Sequence, residues 1–329
     1  MKEAWTLYKT SLVHTTRKGY RVGWRNWTRF AIAHALNLLN PTELDLVLWL
    51  TQAVRSIQHD SAVKYLYGVR DTILDLTGAD ILRRKPRLKK MRRALLKAGG
   101  VRKPKWRGVT VAVLMKILPF VDFSKHDHRC VWAMVTTGTY ALQRIGEFAP
   151  IAGKHAVYPL GGHTRLFGDH GKTFLPRSKT DIFNRGVQLV WPRTDTPTCP
   201  WGAVRLYRAK TVVRLTNQSP AWVRSDGRPA DRTWMLELFR SWARGARLPW
   251  WEYSGISFRR GGAQTLAWLG VPDRTIQALG RWKSACFKRY VGMLSQELLG
   301  AGFRMSRGES VAIEKFEEVS FDVRTWSAR

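Results

Sequence analysis

Apolar residues recur at helical spacing across most of the first hundred positions. Tyr20, Trp24, Trp27, Phe30 and Ala31 fall on one face of a predicted helix that Thr15 or Thr16 can cap. Asn40-Pro41-Thr42-Glu43 opens a second helix, with Leu44, Val47, Leu48, Leu50 and Val54 as its apolar positions. Ser61 opens a third, with Val63, Leu66, Val69 and Ile73 on one side and Gly78 as its stop. Residues 81–98 then carry Arg83, Arg84, Lys85, Arg87, Lys89, Lys90, Arg92, Arg93 and Lys97 among few apolar ones. Periodicity fails at 99–108, where Gly, Pro and the cations Arg102, Lys103 and Lys105 cluster as in an interdomain linker.

Beyond the linker the pattern changes. Two helices are predicted at 109–120 and 125–137, then a turn-like Thr137-Gly138-Thr139 and a short helix holding Arg144 and Glu147. Residues 163–192 read as strands. Gly168-Asp169-His170-Gly171 and Asn184-Arg185-Gly186 are hairpin turn signals, and 187–191 alternates. Helices return near 201–210 and 231–246, and residues 256–290 hold two short apolar segments before a turn at Leu279-Gly280-Arg281-Trp282. This order predicts a mainly α chain with a small antiparallel β-sheet, an α+β class. The expected division is a helical domain at 1–98, a basic linker at 99–108, a second domain at 109–305 and a tail at 306–329.

Charge narrows the partners. With 56 Lys+Arg against 24 Asp+Glu the formal charge is +32, which points to a polyanion, nucleic acid before an anionic membrane. No apolar run is long enough to span a bilayer, and MKEAWTLYKT lacks the apolar core of a signal peptide, so no membrane is expected as partner. Residues 81–98 could be a solvated helix face or a nuclear targeting patch; in so basic a chain they read better as a phosphate-tracking surface. The three cysteines are far apart and fit a reducing compartment. Many of the sixteen tryptophans share helical spacing with other apolar residues, so core packing outweighs base stacking.

Several other features carry less. His126, His128 and Cys130 have metal-like spacing but no fourth partner, so no metal is expected. Gly261-Gly262, at a helix start, signals either close backbone packing or a phosphate at the helix N-terminus. The chain has neither a GxxxxGKS loop nor a paired-carboxylate cluster, which argues against an ATPase or a two-metal nuclease.

The candidate nucleophile is Tyr290, which follows Lys288 and Arg289. A phenol with an ordinary pKa of about 10 needs neighbouring cations to become a phenolate. An ordered series leads to it. Arg144 lies in QRIGE, followed by SKTD at 178–181, CPWGAVRLY at 199–207 and SDGRPADR at 225–232. SFRRGGA at 257–263 and GRW at 280–282 complete the set. With these motifs, residues 137–290 resemble the catalytic domain of the tyrosine recombinase/integrase superfamily. The likeness is greatest to its eukaryotic mobile-element branch, the DIRS-like and Crypton-like recombinases. Residues 8–98, with TTRKGYRVGWRNW and YLYGVRD, resemble the family's helical core-binding domain.

The resemblance implies a site-specific DNA recombinase or integrase of a mobile element. Tyr290 would attack a DNA phosphodiester and form a 3′-phosphotyrosyl bond, which a 5′-hydroxyl later displaces. The bond energy is conserved, so neither ATP nor a metal nor another cofactor is required. Arg144 and Arg259 match the two family arginines that stabilise charge on the non-bridging oxygens. Lys179 matches the hairpin lysine that protonates the leaving 5′-oxygen, with Lys172 as the alternative, and Glu147 would orient Arg144. Arg260 and the cations of 83–105 named above are the expected DNA contacts.

Two positions depart from the family pattern. Ile256 stands where the family has His, and isoleucine can neither accept a proton nor bind a phosphate. Arg281 stands where the family has His or Trp. It can still donate to a phosphate oxygen, and Trp282 beside it can take the packing role. Arg259, Arg281, Lys288 and Arg289 would then support the phenolate. The departure leaves two other readings open: a catalytically impaired DNA-binding accessory or regulatory protein, and type IB topoisomerase-like DNA relaxation. Expected partners are double-stranded DNA and further copies of this chain, as dimer or tetramer. The acidic segment 309–322, with Val311, Ile313, Phe316 and Val319, would pack on a neighbouring protomer or on its own catalytic domain. The expected location is the nucleus of a eukaryotic host, otherwise the cytoplasm.

Overall fold

The structure, a computed structural model, describes residues 14–98, 106–153, 158–176, 178, 181 and 185–289. The chain divides into two compact units, Met1–Pro104 and Lys105–Arg329.

The first unit is helical: α1 (His14–Ala33), α2 (Glu43–Ala53), α3 (His59–Thr77) and α4 (Pro86–Ala98). Glycines let α1 and α3 cross backbone to backbone. A Cβ on Gly23 would lie 2.6 Å from Tyr65 Cα, and one on Gly68 equally close to Tyr20 Cα. Trp27 and Trp49 meet edge to face at 5.5 Å in the core. Their indole N–H groups donate to Leu38 O (3.0 Å) and Asn26 Oδ1 (2.8 Å), so neither buried donor is orphaned. Thr42 caps α2 in a reciprocal pair with Asp45, worth about 1 kcal/mol. Gly78 ends α3 in the left-handed region, φ +73°.

Several details of this unit differ from the sequence expectation: α3 begins at His59, not at Ser61, and Thr15 and Thr16 lie within α1 instead of capping it. The buried face of α2 is Leu46, Trp49, Leu50 and Ala53, whereas Leu44 and Leu48 are 57% and 52% exposed. The segment ELDLVLWL offers more than one apolar stripe. The bulk of Trp49 and its bond to Asn26 select the one that turns inward. The basic helix begins at Pro86, not at residue 81. Proline lacks an N–H and suits the first helical position, while it disfavours a helical residue before it. Leu88 N–H of that first turn donates to Glu43 Oε1 (2.8 Å), which ties α4 to the start of α2.

The second unit is built around α6 (His126–Tyr140), which is buried along nearly its whole length. Before it lie α5 (Val111–Ile117) and a 3-10 turn, Leu118–Phe120. After it come the short α7 (Ile145–Phe148) and strands β1 (Thr164–Leu166), β2 (His170–Leu175) and β3 (Val187–Pro192). The strands form one antiparallel sheet in the order β1-β2-β3. Leu175, Leu189 and Trp191 of β2 and β3 face the core, and Val190 faces solvent. Helices α8 (Pro200–Ala209), α9 (Arg232–Gly245), α10 (Ser257–Trp268) and α11 (Asp273–Leu279) follow, then a 3-10 turn, Ala285–Arg289. Phe148, Phe239, Tyr253 and Phe258 pack edge to face beneath the start of α10. The class is therefore mainly α with a small antiparallel sheet, as the pattern predicted.

Two local readings are corrected. Thr137-Gly138-Thr139 belongs to α6 and is no turn; Gly138 is there because a Cβ would lie 2.8 Å from the Phe148 ring. The second hairpin signal, whose Asn184 lies outside the described residues, falls in the eleven-residue connection, 176–186, that joins the antiparallel β2 and β3. Asp181 accepts the N–H groups of Arg185 (3.1 Å) and Gly186 (2.8 Å) there. The end of the expected linker belongs to the second unit. Arg107 N–H donates to Glu252 O (2.9 Å), Trp106 O accepts from Arg260, and Gly108 lies against Gly261. Gly261 and Gly262 serve close packing. A Cβ on the first would collide with the Val109 backbone and one on the second with Thr139 O.

Candidate active site

The site begins where α6 ends. Leu142 adopts φ +46°, a left-handed conformation unusual for a branched residue, and Arg144 then enters α7. Glu147, in the first turn of α7, accepts the Arg144 N–H at Oε2 (2.8 Å) and its Nη1 at Oε1 (3.0 Å). Three residues of spacing therefore suffice to cap the helix and to fix a guanidinium in one stroke.

The second half comes from α10 and the turn after α11. Arg259 is 4% exposed; its Nη1 donates to Leu142 O (2.9 Å) and its Nη2 to Gly280 O. The Trp282 ring covers it at 4.2 Å. Only glycine fits at 280, because a Cβ would enter that ring. Arg281, itself at φ +55°, donates from Nη1 and Nη2 to the two oxygens of Glu147 (3.1 and 3.0 Å) and from Nη2 to Leu142 O (3.1 Å). Arg281 Nε is buried without an acceptor among the described residues. Residues separated by more than a hundred positions thus converge on one carbonyl and one carboxylate.

Electrostatically the cluster is one carboxylate against three guanidiniums. Such crowding is costly unless an anion joins it, and the donors are already fixed in place, the arrangement expected of a preorganised oxyanion site. Access is graded. The Arg144 side chain is 26% exposed, Arg281 13% and Glu147 7%. Ile256, just ahead of α10, is 36% exposed and offers no titratable group. Its neighbour Gly255 abuts Ile145, since a Cβ there would come within 2.6 Å of that side chain. Among the described residues no histidine bonds to the cluster; His126 instead bridges Val212 N–H and Val223 O, and His128 accepts Asp122 N–H.

The remaining predicted residues are placed as follows. Tyr290 and Lys179, like Arg102, Lys103, Lys105 and the tail, lie outside the described residues. Lys172 sits on the face of β2 turned from the core, its Nζ 4.9 Å from the Phe167 ring. Lys288 pairs with Asp273 at 3.1 Å. Arg83, Arg84, Arg87, Lys89, Lys90, Arg93 and Lys97 are exposed, Lys85 is half-buried, and half-buried Arg92 lies over Tyr67. Sequence reasoning missed a second basic surface. Arg17, Lys18, Arg21, Arg25 and Arg29 of α1 are exposed, and the helix contains no acid. The four arginines recur every fourth residue, roughly half a turn around from Gly19 and Gly23, which face α3. That spacing was the available signal.

The architecture as a whole is the tyrosine recombinase fold. The XerH site-specific recombinase bound to palindromic difH substrate, in a post-cleavage complex, superposes with a TM-score of 0.60. It is 11% identical, over 85% of this chain and 76% of XerH. The Tn1549 transposon integrase in complex with transposon right end DNA gives 0.57 at 12% identity, over 92% and 98% of the two chains. A lambda integrase dimer bound to a COC′ core site gives 0.54 at 13% identity, over 95% and 97%. No protein-family model and no curated protein matches the sequence.

Proposed function

We propose that this chain is a site-specific DNA recombinase or integrase of a mobile element, of the DIRS-like or Crypton-like kind, that cuts and rejoins DNA through Tyr290. The observation that carries the reading is the convergence of Arg144, Arg259 and Arg281 on Leu142 O and Glu147, within a fold shared by recombinases solved on DNA. In the first step Tyr290, its phenol proton given up to water, bonds to phosphorus through the phenolate oxygen and the bond to the 5′-oxygen breaks. Lys179 gives that 5′-oxygen its proton, and Arg144 and Arg259 take up charge on the non-bridging oxygens. Lys179 is preferred to Lys172, whose ammonium is held over Phe167.

Duplex binding falls to the exposed cations of residues 83–97 and of α1, whose charge releases counterions from DNA. The acid-rich tail suits contact between protomers, and the active form is a dimer or tetramer on DNA. No helix among the described residues is long and apolar enough to cross a membrane. In a eukaryotic host the protein would work in the nucleus.

Ile256 favours one second reading, a DNA-binding protein that has lost catalysis. The experiment that separates the two incubates purified protein with nicked duplexes from the element's ends and looks for an SDS-resistant protein–DNA adduct. Adduct from wild type and none from Tyr290→Phe is the expected result. Tight binding without adduct would move the assignment to the second reading, and Ile256→His would then test whether that one position is the cause.

A further inference from the structure

The position of Arg281 in the sequence suggests a phosphate donor, but its guanidinium faces inward. Both of its terminal nitrogens bond to Glu147, one also to Leu142 O, and the side chain has half the exposure of Arg144. Glu147 is at the same time the partner of Arg144. With one cation, the Arg144–Glu147 pair is neutral. An anion arriving at Arg144 would then meet a carboxylate 3.0 Å behind it. With Arg281 present the trio carries a net positive charge, and the member that reaches solvent most is Arg144.

We propose that Arg281 is a positioning residue: by sharing Glu147 it keeps Arg144 cationic in effect toward the phosphate, and it anchors the turn from which the chain runs on to Tyr290. The inference rests on the recombinase reading above. It also accounts for the site's tolerance of a carboxylate beside the arginines, since a buried charge needs a counter-charge in a poorly screened place. Trp282 and Gly280 complete the anchor by holding Arg259 from the other side.

The two roles predict opposite outcomes in one series. If Arg281 works by neutralising Glu147, Arg281→Gln slows adduct formation about 10²-fold, and removing the carboxylate as well, in Glu147→Gln/Arg281→Gln, restores at least about tenfold of that loss. Arg281→Lys, which keeps the charge but not the paired geometry, stays within about tenfold of wild type. Thermal melts identify folded variants, and glutamine at 281 can still donate to Leu142 O. A double variant as slow as Arg281→Gln or slower would overturn the proposal, as would a lysine variant no better than the glutamine one. Wild type that forms no adduct would instead overturn the recombinase reading itself and this one with it, an outcome visible before any variant is compared.

Discussion

The first helix and the core of the second unit use the same side chain in opposite ways. In the first, Arg21, Arg25 and Arg29 stand exposed on a helix without acids and have no ion pair among the described residues. In the second, several arginines are turned inward to satisfy carbonyls, while others of that unit, Arg165, Arg205 and Arg247 among them, are exposed. Arg129, 5% exposed, donates to Phe123 O (2.7 Å), Ser124 O (2.6 Å) and Lys210 O (2.6 Å). Arg208 donates to Gly161 O and Thr164 O, and burial pulls its pKa down; Arg240 donates twice to Tyr253 O. Arg259 and Arg281 extend that inward use to the candidate site. Surface arginines can reach a phosphate directly, whereas an arginine bonded to three carbonyls has its donors occupied and serves chiefly as a framework part.

Three substitutions sharpen this contrast. The largest effect is expected at Arg259→Lys, which cannot reach Leu142 O and Gly280 O together and loses the planar stack on Trp282. Adduct formation should fall by about 10²–10³-fold, measured on nicked duplexes, with duplex affinity changed little. An affinity loss of the same size would make Arg259 a binding group instead. Next, Arg129→Leu leaves three carbonyls without their donor and should cost about 2–4 kcal/mol in urea denaturation of the whole chain. A midpoint equal to wild type would show that water takes over those carbonyls.

The smallest change in stability belongs to Arg21→Gln/Arg25→Gln/Arg29→Gln. Removing like charges spaced four apart should raise helix stability slightly, by about 0.2–0.5 kcal/mol per pair. Duplex binding should weaken, and the slope of log affinity against log salt should shrink by about 0.9 for each phosphate that the helix no longer neutralises. An unchanged slope would mean that α1 faces water and not DNA.

Much of the fold could be read from the sequence because its signals are local. Thr42-Glu43 at one helix start, Gly78 at a stop and the alternation of 187–191 act through neighbours in the chain, and the structure keeps all three. Where several local patterns competed, the reading failed. The apolar stripes of α2 could be told apart only by what Trp49 meets across the core, and Gly138 looked like a turn because the Phe148 ring that excludes a side chain is ten residues away. The arginine ladder of α1 was missed for a different reason. Its cations are spread among aromatic and aliphatic residues, so only their four-residue period marks it, whereas 81–98 stands out by charge density alone.

The candidate site divides along the same line. The sequence by itself determined the residue types: a tyrosine after two cations, arginines at 144, 259 and 281, an acid at 147 and isoleucine at 256. It determined too that Arg144 and Glu147 pair, because three residues on a helical turn bring them together. Only the tertiary structure decided that Arg259 and Arg281 both donate to Leu142 O and that Glu147 serves two arginines. Such bonds join segments about 120–140 residues apart, and no local preference encodes them. They arise because Gly261 and Gly262 let α10 settle against Val109 and α6, which carries Arg259 to the carbonyl at that helix's end.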